Sequence, residues 1–290
     1  MATTSVETSL VTWGATDAGF RIWAKAWHDT LIALNLTQEY SNIDFTTVAM
    51  PTTGQAEAGA RVYKLADADC IDLYLRVAWC RGLITSGDYG FRITLTVGTT
   101  HSSGTVGGYG FSGYLICQQS SLADGGLVGA RTETGIVLFT NVSQSTNYQS
   151  GFMLERTSKS GVPNSMGYVL TYFGSTTDTT STSGGESTIR AVNVTGGNVF
   201  ARNPVTSSAW APPSCIVSNS NASYLSKAPL YPIATFGDND PLLNMVCTSY
   251  EQRAGGTVLS GTVNGISGTY RVPKNYVGGP SNCGVAFKVA

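Results

Sequence analysis

The sequence predicts a mainly β protein: an antiparallel β-sandwich, jelly-roll-like, with one amino-terminal amphipathic helix. Three observations lead there. The spacing of apolar residues changes from a helical to a two-residue period after Leu34. Short apolar runs then recur at intervals of about ten residues, separated by Gly, Ser, Asn and Pro, as in sandwiches. Only 12% of residues are charged, against about 25% in an ordinary soluble domain. Ser and Thr exceed a fifth of the chain, and 34 Gly, 14 Tyr, 10 Phe and 5 Trp accompany them. Such a chain fills a core but covers its surface with hydroxyls and backbone. At a formal net charge of −1, little repulsion opposes association between copies.

Residues 1–12 read as a polar arm ahead of a single β-rich domain, residues 13–290. The arm has neither a basic n-region nor an apolar h-region, so no signal peptide is expected. A short terminus rich in Ser and Thr has no internal reason to be ordered. It is expected to lie as an extended strand along a neighbouring subunit's sheet edge.

The helix is predicted over residues 17–34. Thr16 and Asp17 suit an N-cap, and Phe20, Trp23, Trp27, Leu31 and Leu34 recur at steps of three and four on one face. Arg21, Lys25, His28 and Asp29 lie mostly on the other side. Two tryptophans are a large apolar load, which a sheet or a neighbouring subunit must cover.

Beyond the helix, Phe91, Ile93, Leu95 and Val97 alternate with Arg92, Thr94 and Thr96, as in a half-buried strand. In residues 71–79, Leu73, Leu75, Val77 and Trp79 share one face, with Tyr74 and Arg76 on the other. Residues 135–139 and 188–194 are further strands. Residues 152–156 and 167–173 form a predicted hairpin. So do 257–263 and 266–272, joined by Asn264-Gly265, because a type I′ turn needs positive φ at both central residues. Long loops are expected at 99–113, 174–187 and 203–232, the last holding Pro204, Pro212, Pro213, Pro229 and Pro232.

No recognisable catalytic constellation emerges, and the chain is read as non-enzymatic, with no catalytic, cofactor-binding or metal-binding residues assigned. The two histidines, His28 and His101, lack a nucleophile context and are expected at the surface or an interface. There is no G-x-S-x-G and no H-E-x-x-H. Gly108 to Gly113 matches G-x-G-x-x-G, but the residues that follow read as strand where a dinucleotide fold requires a helix. Asp67, Asp69 and Asp72, and Asp238-Asn239-Asp240, have spacings that oxygen-ligated Ca²⁺ uses. The first group lacks the turn glycine and distal Glu of an EF-hand, and both read as solvated turns. The six cysteines (Cys70, Cys80, Cys117, Cys215, Cys247 and Cys283) are scattered and read as buried, reduced thiols. A pI near 6.1 and the lack of a Lys/Arg run leave nucleic-acid binding without an electrostatic basis. No apolar stretch reaches the ~20 residues that span a bilayer.

The first third of the chain runs Gly19-Phe20-Arg21-Ile22-Trp23, Asn42-Ile43-Asp44-Phe45, Arg61-Val62-Tyr63-Lys64-Leu65, Leu73-Tyr74-Leu75-Arg76, then Thr96-Val97-Gly98 opening a Gly/Ser stretch. The carboxyl third is similar in style, with Tyr231-Pro232-Ile233, Pro241-Leu242-Leu243 and Gly268-Thr269-Tyr270-Arg271-Val272-Pro273. This order of motifs resembles the virion structural proteins of tailed bacteriophages. Residues from about 118 to 221 carry no resemblance. The resemblance implies a structural subunit of tail, baseplate or neck, made in the host cytoplasm and assembled in the virion. Its partners would be further copies of itself and other virion proteins. The alternative is a carbohydrate- or receptor-binding module of a phage tail. There, Tyr109, Phe111, Tyr148 and Trp210 would stack on the sugars of a host-surface glycan, or else pack against the sandwich or a neighbour. A polysaccharide hydrolase, which needs two carboxylates paired in space, is the least favoured reading.

Overall fold

The computed structural model describes residues 4–8, 11–12, 14, 16–54, 56–67, 70–85, 88–108, 111–118, 124–142, 151–159, 162–173, 188–193, 198–199, 230–232, 242–248, 257–263, 265–272 and 285–290. Among them are one α-helix and twenty strands. Strands β1 (Thr4–Glu7) and β2 (Val11–Thr12) precede helix α1 (Asp17–Ala33). Then come β3 (Thr37–Ser41), β4 (Glu57–Leu65), β5 (Leu73–Thr85), β6 (Asp88–Gly98), the short pair β7 (Thr100–Ser102) and β8 (Thr105–Gly107), and β9 (Phe111–Gln118). The middle holds β10 (Asp124–Arg131), β11 (Gly135–Val142), β12 (Gly151–Lys159), β13 (Val162–Phe173), β14 (Thr188–Asn193) and β15 (Asn198–Val199). The last are β16 (Leu230–Pro232), β17 (Met245–Thr248), β18 (Val258–Val263), β19 (Ile266–Arg271) and β20 (Val285–Lys288).

The protein is mainly β and antiparallel, with the helix where the periodicity placed it. Thr16 caps α1, its Oγ1 accepting from the Gly19 amide at 3.1 Å. The other end closes through Asn35 at φ 60°. The Asn35 amide donates to Ile32 O and the Leu36 amide to Leu31 O, which are the two bonds of a Schellman motif.

Two large sheets face each other. The first runs β3-β4-β5-β6-β9, and the second runs β1-β10-β11-β12-β13-β14-β15, with β2 also on β10. Within each, most neighbours are adjacent in the chain, so the sandwich is built from meanders, where a jelly roll would interleave strands of the two sheets. The alternating apolar sets of β5 and β6 turn inward together, since register pairs Leu75 with Val97 and Val77 with Leu95. They meet Leu127, Ile136, Leu138, Phe152, Leu154 and Leu170 from the second sheet. Helix α1 bridges both layers: Trp23 stacks on Phe91 of β6 at 4.7 Å, and Trp27 lies parallel to Phe152 of β12 at 6.4 Å. The Tyr168 hydroxyl crosses between the sheets to donate to Val97 O at 3.2 Å.

The amino-terminal arm is placed differently from expectation. Residues 4–7 pair with β10 of the same chain, Thr4 opposite Arg131 and Glu7 opposite Val128. Thr8 continues the contact, bonding Leu127 through both its amide (2.9 Å) and its hydroxyl (2.7 Å). The exposed edge of β10 offers unpaired backbone groups at no search cost to a segment of its own chain, so the strand is completed internally. The predicted loop at 99–113 is also not wholly irregular, since it contains the β7–β8 hairpin. Residues 174–187 lie outside the described residues. Of 203–232, only β16 falls within them.

A third sheet, β16-β17-β20-β19-β18, has its own small core of Val246, Tyr270, Val272 and Ala286. It joins the second sheet through polar groups. The Glu155 carboxylate on β12 accepts the amides of Leu243 (2.6 Å) and Asn244 (2.9 Å), while Thr132 Oγ1 donates to Asn244 Oδ1 at 2.9 Å. A second buried cluster ties the two large sheets. Asp67, just after β4, accepts two bonds from Arg131 at 2.7 Å and one from Arg156 at 2.6 Å. Arg156 also donates to the carbonyls of Ile71 and Leu65.

Candidate functional site

Of the aromatics expected to carry ligand binding, Phe111 is the first residue of β9, paired with Val97 of β6. Tyr109, Tyr148 and Trp210 lie outside the described residues. The structure instead brings together a different set on the outer face of the first sheet.

That set follows from the pleat. With Leu73, Leu75, Val77 and the β6 apolar residues turned inward, Tyr74, Arg76, Thr94 and Thr96 turn outward. Register aligns Arg76 with Thr96 on one side and Val62 on the other, and Val62 in turn with Tyr40 of β3. The β7–β8 hairpin then folds over this face. Thr99 anchors its base, with its amide on Gly107 O and Gly108 O, both at 2.9 Å. Gly98 permits the crossing, because a Cβ there would sit 2.3 Å from Gly107 O. The tip turns through Ser103 (φ 47°) and Gly104 (φ 82°). A Cβ on Gly104 would lie 2.5 Å from Cε1 of the Tyr40 ring.

Between hairpin and sheet lies a cleft of about 400 Å³, lined by Tyr40, Asn42, Arg76, Thr96 and residues 103–106 of the hairpin. His101 of β7 buttresses it. Its Nε2 accepts the Gly104 amide at 3.0 Å, so this nitrogen carries no proton. Its ring lies 5.8 Å from Tyr74 and 6.3 Å from Tyr40. Arg76 is held by Glu57 at 2.6 Å. Asn42 Oδ1 accepts the Ala60 amide at 2.6 Å, which orients its carboxamide with Nδ2 as the remaining end. The lining is therefore rich in donors and acceptors, near neutral in charge, and carries an aromatic ring on one wall. A second hollow of about 540 Å³ lies beside β18 and β19, lined by residues 260–262, 267–269 and Ala290. Among the described residues it has no aromatic wall.

His28 sits on the inner side of the first sheet rather than on an open surface. Arg61 Nη1 donates to its Nε2 at 2.7 Å. The proton then resides on Nδ1, 2.9 Å from Tyr63 Oη. Burial, and then the Arg61 guanidinium, pull its pKa down to about 4. Arg61 itself lies over the Phe45 ring at 4.2 Å. Both imidazole nitrogens are thus engaged in a cluster that pins α1 to β4.

The acidic group at 67–72 is dispersed among cations. Asp67 faces Arg131 and Arg156, whereas Asp72 pairs with Lys64 at 2.7 Å. Asp69 and residues 238–240 lie outside the described residues. Cys80 is a buried thiol and Cys70 a half-buried one, and burial raises the pKa of Cys80.

Tyr40 lies in β3 and Asn42 directly follows that strand, so neither stands in the Gly/Ser-rich loops where sequence places ligand contacts. The outward alternation of Tyr74 and Arg76 was the available signal. Comparison with known protein families, with curated proteins and with solved structures finds no match to this chain.

Proposed function

We propose that the chain is a structural subunit of a tailed-phage virion, acting as a homo-oligomer in contact with neighbouring virion proteins. The observation that supports this reading is the low charge of the chain, 12% of residues with a formal net charge of −1, together with four large aliphatics exposed among the described residues. Ile22 (49% exposed) and Ile32 (41%) lie on the outer face of α1, and Val258 (57%) and Ile266 (37%) on the β18–β19 hairpin. Single exposed aliphatics are ordinary on a protein surface, and the weight of the reading rests on the low charge, which leaves little repulsion against contact between copies. The pattern of motifs in the first and last thirds points to the same class of particle.

The test is twofold. The purified chain should sediment as a discrete oligomer, and Ile22→Asp with Ile32→Asp should dissociate it without unfolding it. The chain should also occur at fixed copy number in purified particles. A full-length chain that stays monomeric at about 100 μM, far above a dissociation constant of about 1 μM, refutes the proposal. So does absence from the particles.

A further inference from the structure

We propose that the cleft under the β7–β8 hairpin binds a neutral saccharide, taking one or two pyranose rings against Tyr40. This does not depend on the assembly role: it concerns one chain and can hold or fail by itself.

Size comes first. About 400 Å³ falls at the lower end of the roughly 300–1,000 Å³ of small-molecule sites, enough for a ring or two and too small for a folded partner. Lining chemistry comes second. Asn42, Arg76, Thr96, Ser103 and Thr105 bring amide, guanidinium and hydroxyl groups to one space, and Val106 and Tyr40 add apolar area. Sugar rings present that same pairing, hydroxyls around the rim and C–H groups on the face, and a C–H group packs on the part of the Tyr40 ring that Gly104 leaves open to the cleft.

Charge decides between a neutral ligand and an anion. Among the described residues of the lining Arg76 is the cation, and Glu57 already engages it at 2.6 Å. A phosphate or sulfate would have to compete with that carboxylate, whereas a neutral hydroxyl pair bonds the guanidinium without displacing it. Preorganisation is the last point. Thr99 closes the hairpin base, the Gly104 amide is fixed on His101 Nε2 at 3.0 Å, and the tip is seated on Tyr40. Little ordering entropy is left to spend on binding.

The experiment titrates the full-length chain with methyl glycosides of glucose, galactose, mannose, rhamnose and N-acetylglucosamine. Sodium sulfate and a glucuronoside serve as anionic probes, and binding is read by ligand-observed NMR and calorimetry. A glycan array extends the search. At least one neutral glycoside should bind. Tyr40→Ala and Arg76→Gln should each weaken it about tenfold or more, as loss of a central contact does, while Tyr40→Phe retains it. Thermal melts of each variant show whether the fold survives. If Tyr40→Ala proves unfolded, the Thr96→Val and Asn42→Ala variants carry the same test from other walls. No binding to any glycan overturns the proposal, as does binding that folded variants leave unchanged. A preference for the anionic probes that collapses with salt also overturns it, in favour of an anion site.

Discussion

Replacing Trp23 by Ala tests the central packing claim, that one helix joins two sheets. The indole is fully buried, stacked on Phe91 at 4.7 Å and set 5.5 Å from Phe20. A tryptophan side chain buries about 200 Å², which at about 25 cal/mol per Å² is about 5 kcal/mol of transfer free energy. The aromatic contacts add about 1 kcal/mol. One effect offsets this: Nε1–H is buried with no hydrogen-bond partner among the described residues, and removing an unsatisfied donor recovers about 1–2 kcal/mol. The net loss is about 4–5 kcal/mol, at the upper end of the usual range for Trp→Ala. Urea unfolding followed by circular dichroism, at unchanged m-value, measures it. Trp23→Phe keeps a ring on Phe91 and sheds the orphan N–H, so it should cost only about 1–2 kcal/mol. A Trp23→Ala loss below about 1.5 kcal/mol, or equal losses for the two variants, would refute the reasoning, since either means the helix is not wedged between the layers.

Four further outcomes are expected. Burial lifts Glu155 to about pH 7 against the pull of the Leu243 and Asn244 amides. Its folded pKa is therefore raised, so its contribution to stability is complete below its ordinary 4.5 and is lost as pH rises through about 7. Melting of the native chain across that window should show the decline, and Glu155→Gln should flatten it. Asp67→Asn leaves Arg131 and Arg156 buried without their common anion, and the melt should register about 3–5 kcal/mol of lost stability. Thr16→Ala removes the cap on Gly19 and should cost about 1 kcal/mol by denaturant titration. Deleting residues 1–8 should lower the melting temperature of the isolated chain, because β1 completes the β10 edge. An unchanged melt would mean that this strand is held by something outside the chain.

Elements whose cause is local can be read from the amino-acid sequence. Helix α1 was legible because its cap and its three-and-four spacing act within a few residues, and the inward sets of β5 and β6 because the pleat alternates whatever lies beyond. The Schellman close at Asn35 is also local, but it came to light only through its positive φ and the bonds of residues 35 and 36. The turn at Asn264-Gly265 was read from sequence, and Gly265 has the positive φ (78°) that it requires. Tertiary structure decided what depends on meetings between distant segments. Nothing near residues 4–7 indicates that β10, more than a hundred residues on, will supply their partner. Nothing near Glu155 shows that two amides from residues 243 and 244 will close on it. The cleft belongs to this second kind. Its wall, floor and lid come from β3, from β5 and β6, and from a hairpin that lies on the sheet only because Gly98 and Gly104 let backbone and ring approach. A period of two says that Tyr74 and Arg76 face outward, but only the assembled fold determines what they face, because contact geometry is set by three-dimensional packing and not by spacing along the chain.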